Sequence, residues 1–280
     1  MTKKAYLIGH PLKHSVSPAM HNAIATDYYK YEPKDVKPGE IAKALVEFRK
    51  PEVIGFNVTI PHKEAILPFL DDLDNNAELI GAVNTVVNED GRLVGHNTDG
   101  AGFIESLKQD AKIDPLDKNV VVIGAGGASR AVCVMLAEAK VDFLTVTDIA
   151  AEKAQQLVEY ISSELEVNCN FVPANSPELQ ERINNADILV NCSPIGMHPK
   201  EDQSPLADNI KLHSNLMVYD LVYNPGVTKL MKAAEAAGAR TCTGLGMLVR
   251  QGALAFTLWT GQEADIPKMR QAAEKALGLS

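Results

Sequence analysis

Residues 55–63, GFNVTIPHK, end in a lysine whose position could serve proton transfer. Lys63 follows a short extended run in which Asn57 and Thr59 share one face, because alternate residues of a strand point the same way. A lysine ammonium beside a carbonyl oxygen can stabilise developing negative charge and can donate a proton. From this stretch alone, an ordinary solvated surface charge would explain Lys63 equally well.

Two further polar clusters lie in the same part of the chain. Ser15 and Ser17 alternate about Val16, so an extended segment would present both hydroxyls on one side, as a seat for a carboxylate. Asn97 and Asp99 stand at a predicted junction between a strand and a helix. Ser17 and Asp99 could instead be simple helix caps, and the local sequence leaves both explanations open.

A glycine-rich turn follows a predicted strand in VVVIGAGGASRA, residues 120–131. Gly124, Gly126 and Ser129 occupy the positions of the G-x-G-x-x-G fingerprint of dinucleotide-binding proteins. Gly124 would allow the tight turn, and Gly126 would let the backbone approach a pyrophosphate that the helix N-terminus stabilises. Ser129 is small enough to replace the third glycine. A glycine turn without a ligand would show the same pattern.

Asp148 ends the next predicted strand, at about the spacing that the fingerprint requires for an acidic residue. Its carboxylate would accept hydrogen bonds from ribose hydroxyls and would repel a 2′-phosphate. Ile149 and Ala150 add no positive charge, so the sequence favours NAD as the cofactor, with NADP disfavoured. Lys153 could still reach a phosphate, which leaves NADP open, and Asp148 could simply cap the following helix.

Alternating strands and helices predict an α/β protein with two domains: 1–112 plus 241–280, and 113–240. The second domain follows a polar break, and a cleft between the domains would suit a ligand. The run around Asp90 and Gly91 predicts a β-hairpin. Strands are predicted at 5–9, 53–60, 119–126, 143–148, 186–193 and 216–223, and helices at 17–29, 41–50, 63–70, 76–82, 99–111, 129–140, 151–165 and 228–238, with another apolar helical segment from 243 onward.

Composition narrows the class of protein. The 280 residues are 46% hydrophobic and 22% charged, with a formal net charge of −9 and no basic run, which disfavours nucleic acid and anionic membranes as partners. No apolar stretch nears the roughly 18 residues of a membrane span, and no signal peptide is evident. The scattered cysteines predict free thiols in the cytosol. His10 and His14 lack an acidic cluster, so no metal site is expected.

Eight motifs in order resemble the shikimate dehydrogenase family over residues 6–261. They are GHPLKHSVSPAMHN, NVTIPHK, IGAVNTVV, GHNTDGAG, VVIGAGGASRA, NCSPIGM, DLVYNP and GLGMLVRQGALAF. The resemblance implies a catalytic domain, a Rossmann domain and a final helical segment that returns to the first. It also implies reversible reduction of 3-dehydroshikimate to shikimate by a nicotinamide cofactor.

The resemblance assigns roles by position. Lys63 matches the catalytic lysine and Asp99 its partner. Substrate-binding positions are Ser15, Ser17, Thr59, Asn84, Tyr223 and Gln251, and cofactor-binding positions are Gly124, Gly126, Gly127, Ala128, Ser129, Asp148 and Gly244. The family's NADP-dependent members usually carry Asn-Arg-Thr where this chain has Asp148, Ile149 and Ala150. An aspartate at this position resembles the NAD-using quinate/shikimate dehydrogenases.

Other functions stay open at this point. The substrate could be shikimate or quinate, or a related cyclic hydroxy acid such as an aminoshikimate, since a serine pair would fit any of their carboxylates. A non-catalytic binding protein could keep the same fold, but the presence of both Lys63 and Asp99 argues against it. The first domain could also supply the edge of a homodimer.

Overall fold

The computed structural model describes residues 2–12, 15–25 and 27–279, so His14 lies outside the described residues. The chain divides into two compact units, 1–102 with 248–280, and 103–247. Each unit contains strands and helices, which confirms the predicted fold class. None of the four cysteines, all of which lie within the described residues, forms a disulfide. Within the described residues no helix is both long and apolar enough to cross a bilayer.

The first unit is built on a mixed sheet in the order β2-β1-β3-β5-β6-β4. β1 runs parallel to β2 and β3, whereas β5 is antiparallel to both β3 and β6. The strands are β1 Lys3–Gly9, β2 Tyr29–Asp35, β3 Val53–Val58, β4 Asp72–Leu73, β5 Thr85–Glu89 and β6 Arg92–His96, and the helices are α1 Ser17–Ile24, α2 Ile41–Phe48, α3 Asn75–Ile80 and α4 Asp99–Gln109, which continues into the second unit, with a short 3₁₀ helix at Leu67–Phe69.

The second unit has a sheet in the order β12-β11-β10-β7-β8-β9, with every pair parallel. Its four central strands are largely buried, as expected for a parallel sheet covered by helices, and its two edge strands are half-buried. The strands are β7 Asn119–Ile123, β8 Phe143–Thr147, β9 Asn168–Phe171, β10 Ile188–Asn191, β11 Met217–Asp220 and β12 Arg240–Thr243, and the helices are α5 Gly127–Glu138, α6 Ala151–Glu164, α7 Pro177–Asn184 and α8 Lys229–Ala236.

Two C-terminal helices, α9 Leu245–Thr260 and α10 Ile266–Leu277, complete the chain. α10 packs against α1, and Trp259 of α9 packs against the first sheet. The indole Nε1 of Trp259 donates a hydrogen bond of 2.9 Å to the carbonyl oxygen of Val86. Gly55 of β3 makes this approach possible, since a Cβ there would lie 2.2 Å from that same Nε1.

The sequence predicted several elements correctly and missed others. The hairpin is confirmed, with φ of 50° at Asp90 and 96° at Gly91, as a type I′ turn requires. The helix predicted over 17–29 ends at Ile24, and β2 follows it. Asn22 favours this ending, because its side chain bonds both the N–H and the carbonyl of Tyr31 at 2.9 Å.

The unit boundaries also differ from the predicted ones. They fall after residues 102 and 247, whereas the sequence placed them after 112 and 240. Phe103 and Leu107 of α4, and Met247 of α9, belong to the hydrophobic core of the second unit. The boundaries therefore pass through two helices, which a search for polar linkers cannot detect.

Candidate active site

Lys63 forms a short ion pair in the first unit. Its Nζ donates to Oδ2 of Asp99 at 2.5 Å, and the two side chains are 16% and 7% exposed. The carbonyl of Lys63 accepts a hydrogen bond of 2.8 Å from the N–H of Val83, which fixes the backbone from which the side chain extends. Lys63 is therefore held within the unit and is not a solvated surface charge.

Asp99 is the first residue of α4, but its carboxylate does not cap the helix. Oδ1 of Asn97 accepts from the N–H groups of Asp99 and Gly100 at 3.1 and 3.3 Å, so Asn97 performs that role. The two oxygens of Asp99 are consequently available for other partners. One binds Lys63, and the other accepts a hydrogen bond of 2.9 Å from Nδ2 of Asn84.

Asn84 joins Asp99 to the C-terminal part of the first unit. Its Nδ2 also lies 3.2 Å from Oε1 of Gln251 on α9, and Nε2 of Gln251 donates to the carbonyl of Leu248 at 2.7 Å. Gly102 of α4 allows this approach, since a Cβ there would lie 2.9 Å from the backbone nitrogen of Gln251. The structure thus brings together four of the predicted site residues, Lys63, Asp99, Asn84 and Gln251.

The serine pair differs from the predicted geometry. Val16 has φ −92° and ψ −4° and is the N-cap of α1, so the segment is not extended and Ser17 is not the cap. The N–H of Ser17 donates to Oγ of Ser15 at 3.3 Å, and Ser17 is 8% exposed. Thr59 is half-buried after β3, with its N–H bonded to the carbonyl of Ile8. No hydrogen bond among the described residues joins these three hydroxyls to Lys63.

The glycine turn of the second unit has the form that the fingerprint predicts. Gly124 has φ +111°, and a Cβ there would meet the backbone of Cys192 at 3.2 Å, so both conformation and space favour glycine. Oγ of Ser129 donates to the carbonyl of Gly124 at 2.5 Å, which explains why serine can occupy the third position. Gly126 caps α5, is exposed, and has open space where a Cβ would stand.

This turn fits a pyrophosphate. Gly127 and Ala128 form the first turn of α5, a helix of 12 residues whose N-terminal amides carry partial positive charge. Because Gly126 has no side chain and an open approach, a phosphate could contact these amides directly. The cofactor-binding role of these positions stays a prediction.

Asp148 uses both carboxylate oxygens in hydrogen bonds to backbone amides. Oδ2 accepts from the N–H of Ala125 and Oδ1 from the N–H of Ala150, each at 2.7 Å. The carboxylate therefore links the glycine turn after β7 to the segment after β8. It is not the N-cap of α6, since that residue is Ala150.

Tyr223 and Gly244 also belong to the second unit. Tyr223 lies in the segment between β11 and α8, and burial raises the pKa of its hydroxyl. A Cβ at Gly244 would lie 2.1 Å from the carbonyl oxygen of Leu221, so close backbone approach alone requires glycine there. Steric need explains Gly244 without a ligand.

Asp220, at the end of β11, is a buried group that the sequence did not single out. Its carboxylate accepts from Nδ2 of Asn191 at 2.8 Å, the N–H of Val222 at 3.0 Å and Oγ1 of Thr228 at 2.7 Å. Burial raises the pKa of Asp220, although these hydrogen bonds act in the opposite direction. Oγ1 of Thr228 in turn caps α8 by accepting from the N–H of Met231.

Known proteins match this chain along most of its length. Family models for the shikimate dehydrogenase substrate binding domain, the shikimate/quinate 5-dehydrogenase and the shikimate 5′-dehydrogenase C-terminal domain match residues 7–86, 107–225 and 244–274. The shikimate dehydrogenase (NADP(+)) of Methanopyrus kandleri is 44% identical over 95% of this chain and 93% of its own length.

Two solved structures agree with this match. A shikimate dehydrogenase in complex with NADP+ has a TM-score of 0.92 at 40% identity, covering 99% of this chain and 96% of the other. Shikimate 5-dehydrogenase from Listeria monocytogenes, in complex with shikimate and NAD, has a TM-score of 0.89 at 36% identity, covering 96% of both chains. The chain belongs to the shikimate dehydrogenase family.

The relatives correct the cofactor prediction. Eight curated relatives, 40–44% identical to this chain, are all named shikimate dehydrogenase (NADP(+)), and none of these names mentions quinate. The preference for NAD, drawn from Asp148, is wrong. The hydrogen bonds from Ala125 and Ala150 offer a physical reason, because a carboxylate whose two oxygens accept from backbone amides repels a phosphate less than a free carboxylate does.

Proposed function

We propose that this chain catalyses the reversible, NADP-linked conversion of 3-dehydroshikimate to shikimate. The observation that carries the proposal is the ion pair of Lys63 and Asp99, bonded through Asn84 to Gln251. All four residues stand at positions matching the family's motifs. The names of the curated relatives support both the substrate and the choice of NADP.

The first unit would hold the substrate. Ser15 and Ser17 bind the ring carboxylate, and Thr59 contacts a ring hydroxyl. Asn84 and Gln251 hold the substrate's hydroxyls or carboxylate, since the amide of Asn84 bonds Asp99 and lies 3.2 Å from Oε1 of Gln251. Tyr223, which lies in the second unit, stays a predicted substrate-binding position through its match to the family's motif.

Lys63 would move the proton that accompanies hydride transfer. During reduction, negative charge develops on the carbonyl oxygen of 3-dehydroshikimate, and the ammonium of Lys63 stabilises that charge and donates a proton. Asp99 orients the ammonium through their 2.5 Å hydrogen bond. During oxidation, the neutral amine of Lys63 takes the proton back from the hydroxyl of shikimate.

The second unit would hold NADP(H), which supplies or accepts the hydride when bound. The amides of Gly126, Gly127 and Ala128 face its pyrophosphate at the start of α5, where negative charge is favoured. Lys153 supplies the positive charge for the 2′-phosphate. It lies in the first turn of α6, and that helix begins directly after Asp148, Ile149 and Ala150.

Steady-state kinetics with shikimate and quinate, each with NADP+ and NAD+, test the reaction. The highest kcat/KM is expected for shikimate with NADP+. Higher kcat/KM with quinate would contradict the proposed substrate, and higher kcat/KM with NAD+ would contradict the proposed cofactor. Activity with neither acid would refute the function and would direct screening to other cyclic hydroxy acids.

The role of Lys153 is tested by calorimetric titration of Lys153→Glu with NADP+ and NAD+. The Kd for NADP+ should rise about tenfold or more, because a hydrogen bond to a charged group contributes roughly 1.5–3 kcal/mol. The Kd for NAD+ should change little. Lys232→Glu, at an exposed lysine of α8, is the matched control. Equal losses of affinity for NADP+ and NAD+ would show that Lys153 does not contact the 2′-phosphate.

A further inference from the structure

Tyr31 of β2 is linked to the Lys63–Asp99 pair by a series of side-chain hydrogen bonds, although no hydrogen bond among the described residues joins it directly to either member of the pair. Its side chain is buried, and its hydroxyl donates to Oδ1 of Asn57 at 2.7 Å. The amide of Asn57 is thereby oriented, because its oxygen faces Tyr31 and its nitrogen must face the other way. Nδ2 of Asn57 donates to Oγ1 of Thr85 at 3.0 Å and lies 3.2 Å from the carbonyl of Asn84.

The next step passes from Thr85 to Asn84. Oγ1 of Thr85 accepts from Asn57 and can donate its own hydrogen to Oδ1 of Asn84, which lies 3.2 Å away, as does Oγ1 of Thr98. The N–H of Thr98 donates to the same oxygen at 2.8 Å. With its oxygen held by these donors, Asn84 directs Nδ2 towards Oδ1 of Asp99 at 2.9 Å.

Every hydrogen bond in this series is donated in the same direction. Tyr31 donates to Asn57, Asn57 to Thr85, Thr85 to Asn84, and Asn84 to Asp99. Hydrogen bonds linked head to tail in a buried environment strengthen one another, and this series ends on a carboxylate, which only accepts. All five residues are at most 5% exposed, so water has little access to replace a lost donor.

We propose that Tyr31 is a positioning residue for the Lys63–Asp99 pair, acting through Asn57, Thr85 and Asn84. Its hydroxyl fixes the orientation of two successive side-chain amides. Without it, Oδ1 of Asn57 loses its donor and the Asn57 amide can rotate, which removes the donor to Oγ1 of Thr85 and weakens one of the hydrogen bonds that hold Oδ1 of Asn84. The proposal rests on the proposed function, in which Lys63 and Asp99 act on the substrate.

The chain offers a matched control on the same strand. Tyr29 is as buried as Tyr31, each being 2% exposed, and its hydroxyl bonds Nδ1 of His21 at 2.8 Å. Tyr31→Phe and Tyr29→Phe each remove one buried hydroxyl and keep the aromatic ring. Similar losses of stability are therefore expected, whereas only Tyr31→Phe interrupts the series that ends at Asp99.

The test compares shikimate oxidation by the two variants. Tyr31→Phe should lower kcat by about fivefold to tenfold, the scale set by one buried hydrogen bond, with KM for shikimate within about twofold of wild type. Tyr29→Phe should leave kcat within about twofold. In a Lys63→Ala background, Tyr31→Phe should have no further effect on kcat, since the pair it positions is gone. Equal kcat for the two phenylalanine variants would overturn the proposal.

A readout without substrate separates this proposal from the proposed function. Hydrogen exchange of the side-chain amide of Asn84, followed by NMR, should be faster in Tyr31→Phe than in Tyr29→Phe. Absence of shikimate turnover by the wild type would refute the function, while this exchange difference would still support the hydrogen-bond series. Unchanged protection of Asn84 in Tyr31→Phe would refute the positioning role whatever the substrate is.

Discussion

Two buried aspartates, one in each unit, are held in opposite ways. Asp99 is paired with the ammonium of Lys63 and accepts one amide hydrogen from Asn84. Asp220 is fully buried and is held by three neutral donors, and no ion pair of the described residues includes it. Burial accordingly raises the pKa of Asp220.

The difference in partners indicates that the carboxylate of Asp99 serves catalysis, whereas that of Asp220 serves the stability of the fold. A buried ion pair adds little net stability, because desolvation of both charges offsets their attraction, so its retention in the first unit favours a functional role. Asp220 instead joins the ends of β10 and β11 to the start of α8 through hydrogen bonds. Removing Lys63 should therefore affect turnover most, and removing Asp220 should affect stability most.

The largest effect is expected from Lys63→Ala. The variant should lose about 10²–10⁴-fold or more in kcat, the range that general acid–base catalysis contributes. Its Kd for NADP+ should stay near the wild-type value, since the nucleotide turn lies in the other unit. Lys43→Ala, at an exposed lysine of α2, is the control. Near-normal turnover by Lys63→Ala would remove Lys63 from the mechanism.

Asp220→Ala should be the most destabilising change at the second carboxylate. It removes the acceptor that three hydrogen-bond donors share, so the free energy of unfolding should fall by about 3 kcal/mol or more. Denaturant titration followed by circular dichroism measures the loss, with the exposed Asp202→Ala as control. A loss no larger than that of the control would show that the Asp220 hydrogen bonds are not needed for stability.

A smaller loss in the free energy of unfolding is expected when only one of the hydrogen-bond donors to Asp220 is removed. Thr228→Val keeps the shape of the side chain but removes both the hydrogen bond to Asp220 and the cap of α8. The same denaturant titration should show a loss of about 1–2 kcal/mol. A loss equal to that of Asp220→Ala would mean that the two residues act as one unit, and the comparison would then need a third donor variant.

The smallest change in the free energy of unfolding at a single pH is expected from Asp220→Asn, which keeps the size of the side chain and one acceptor oxygen. This variant is informative because it changes how the free energy of unfolding depends on pH. Because the folded pKa of Asp220 is raised, the stabilising contribution of its carboxyl is complete below the unfolded value of 3.8. The contribution is lost as pH rises from there through the folded pKa.

The unfolding free energy of wild type minus that of Asp220→Asn should therefore decrease as pH rises from about 4 towards neutrality. Subtracting the two titrations cancels the other carboxylates, which both proteins share. Parallel denaturant titrations across this pH interval provide the measurement. A difference that grows with pH would mean that the carboxylate is stabilised by its donors more than burial disfavours it.

The sequence was informative where a residue type and its neighbours restrict the chemistry. The sequence analysis found Lys63, Asp99 and the turn at Gly124. A lysine shortly after a proline, an aspartate between a strand and a helix, and regularly spaced glycines are unusual in a hydrophobic core. Tyr31 could not be found in this way, since KYEPK carries charge and a proline within what proves to be a strand. Its buried tyrosines alternate with charged residues, which was the available signal for β2.

Asp148 shows the opposite failure. Its position matched the fingerprint, but the sequence could not reveal that both oxygens bond to backbone amides, one of them in the glycine turn after β7. Asp220 was hidden for a related reason, because an aspartate after a buried strand resembles an ordinary loop residue. In both cases the deciding partners are backbone groups or residues distant along the chain, which spacing alone does not specify.

The chain has a single tryptophan, Trp259, and it is enclosed by the first sheet beside Gly55. Its fluorescence emission therefore reports on the first unit alone, because the second unit contains no tryptophan. Red-shifted emission that precedes or lags the loss of far-ultraviolet dichroism would reveal that the two halves of the enzyme melt separately.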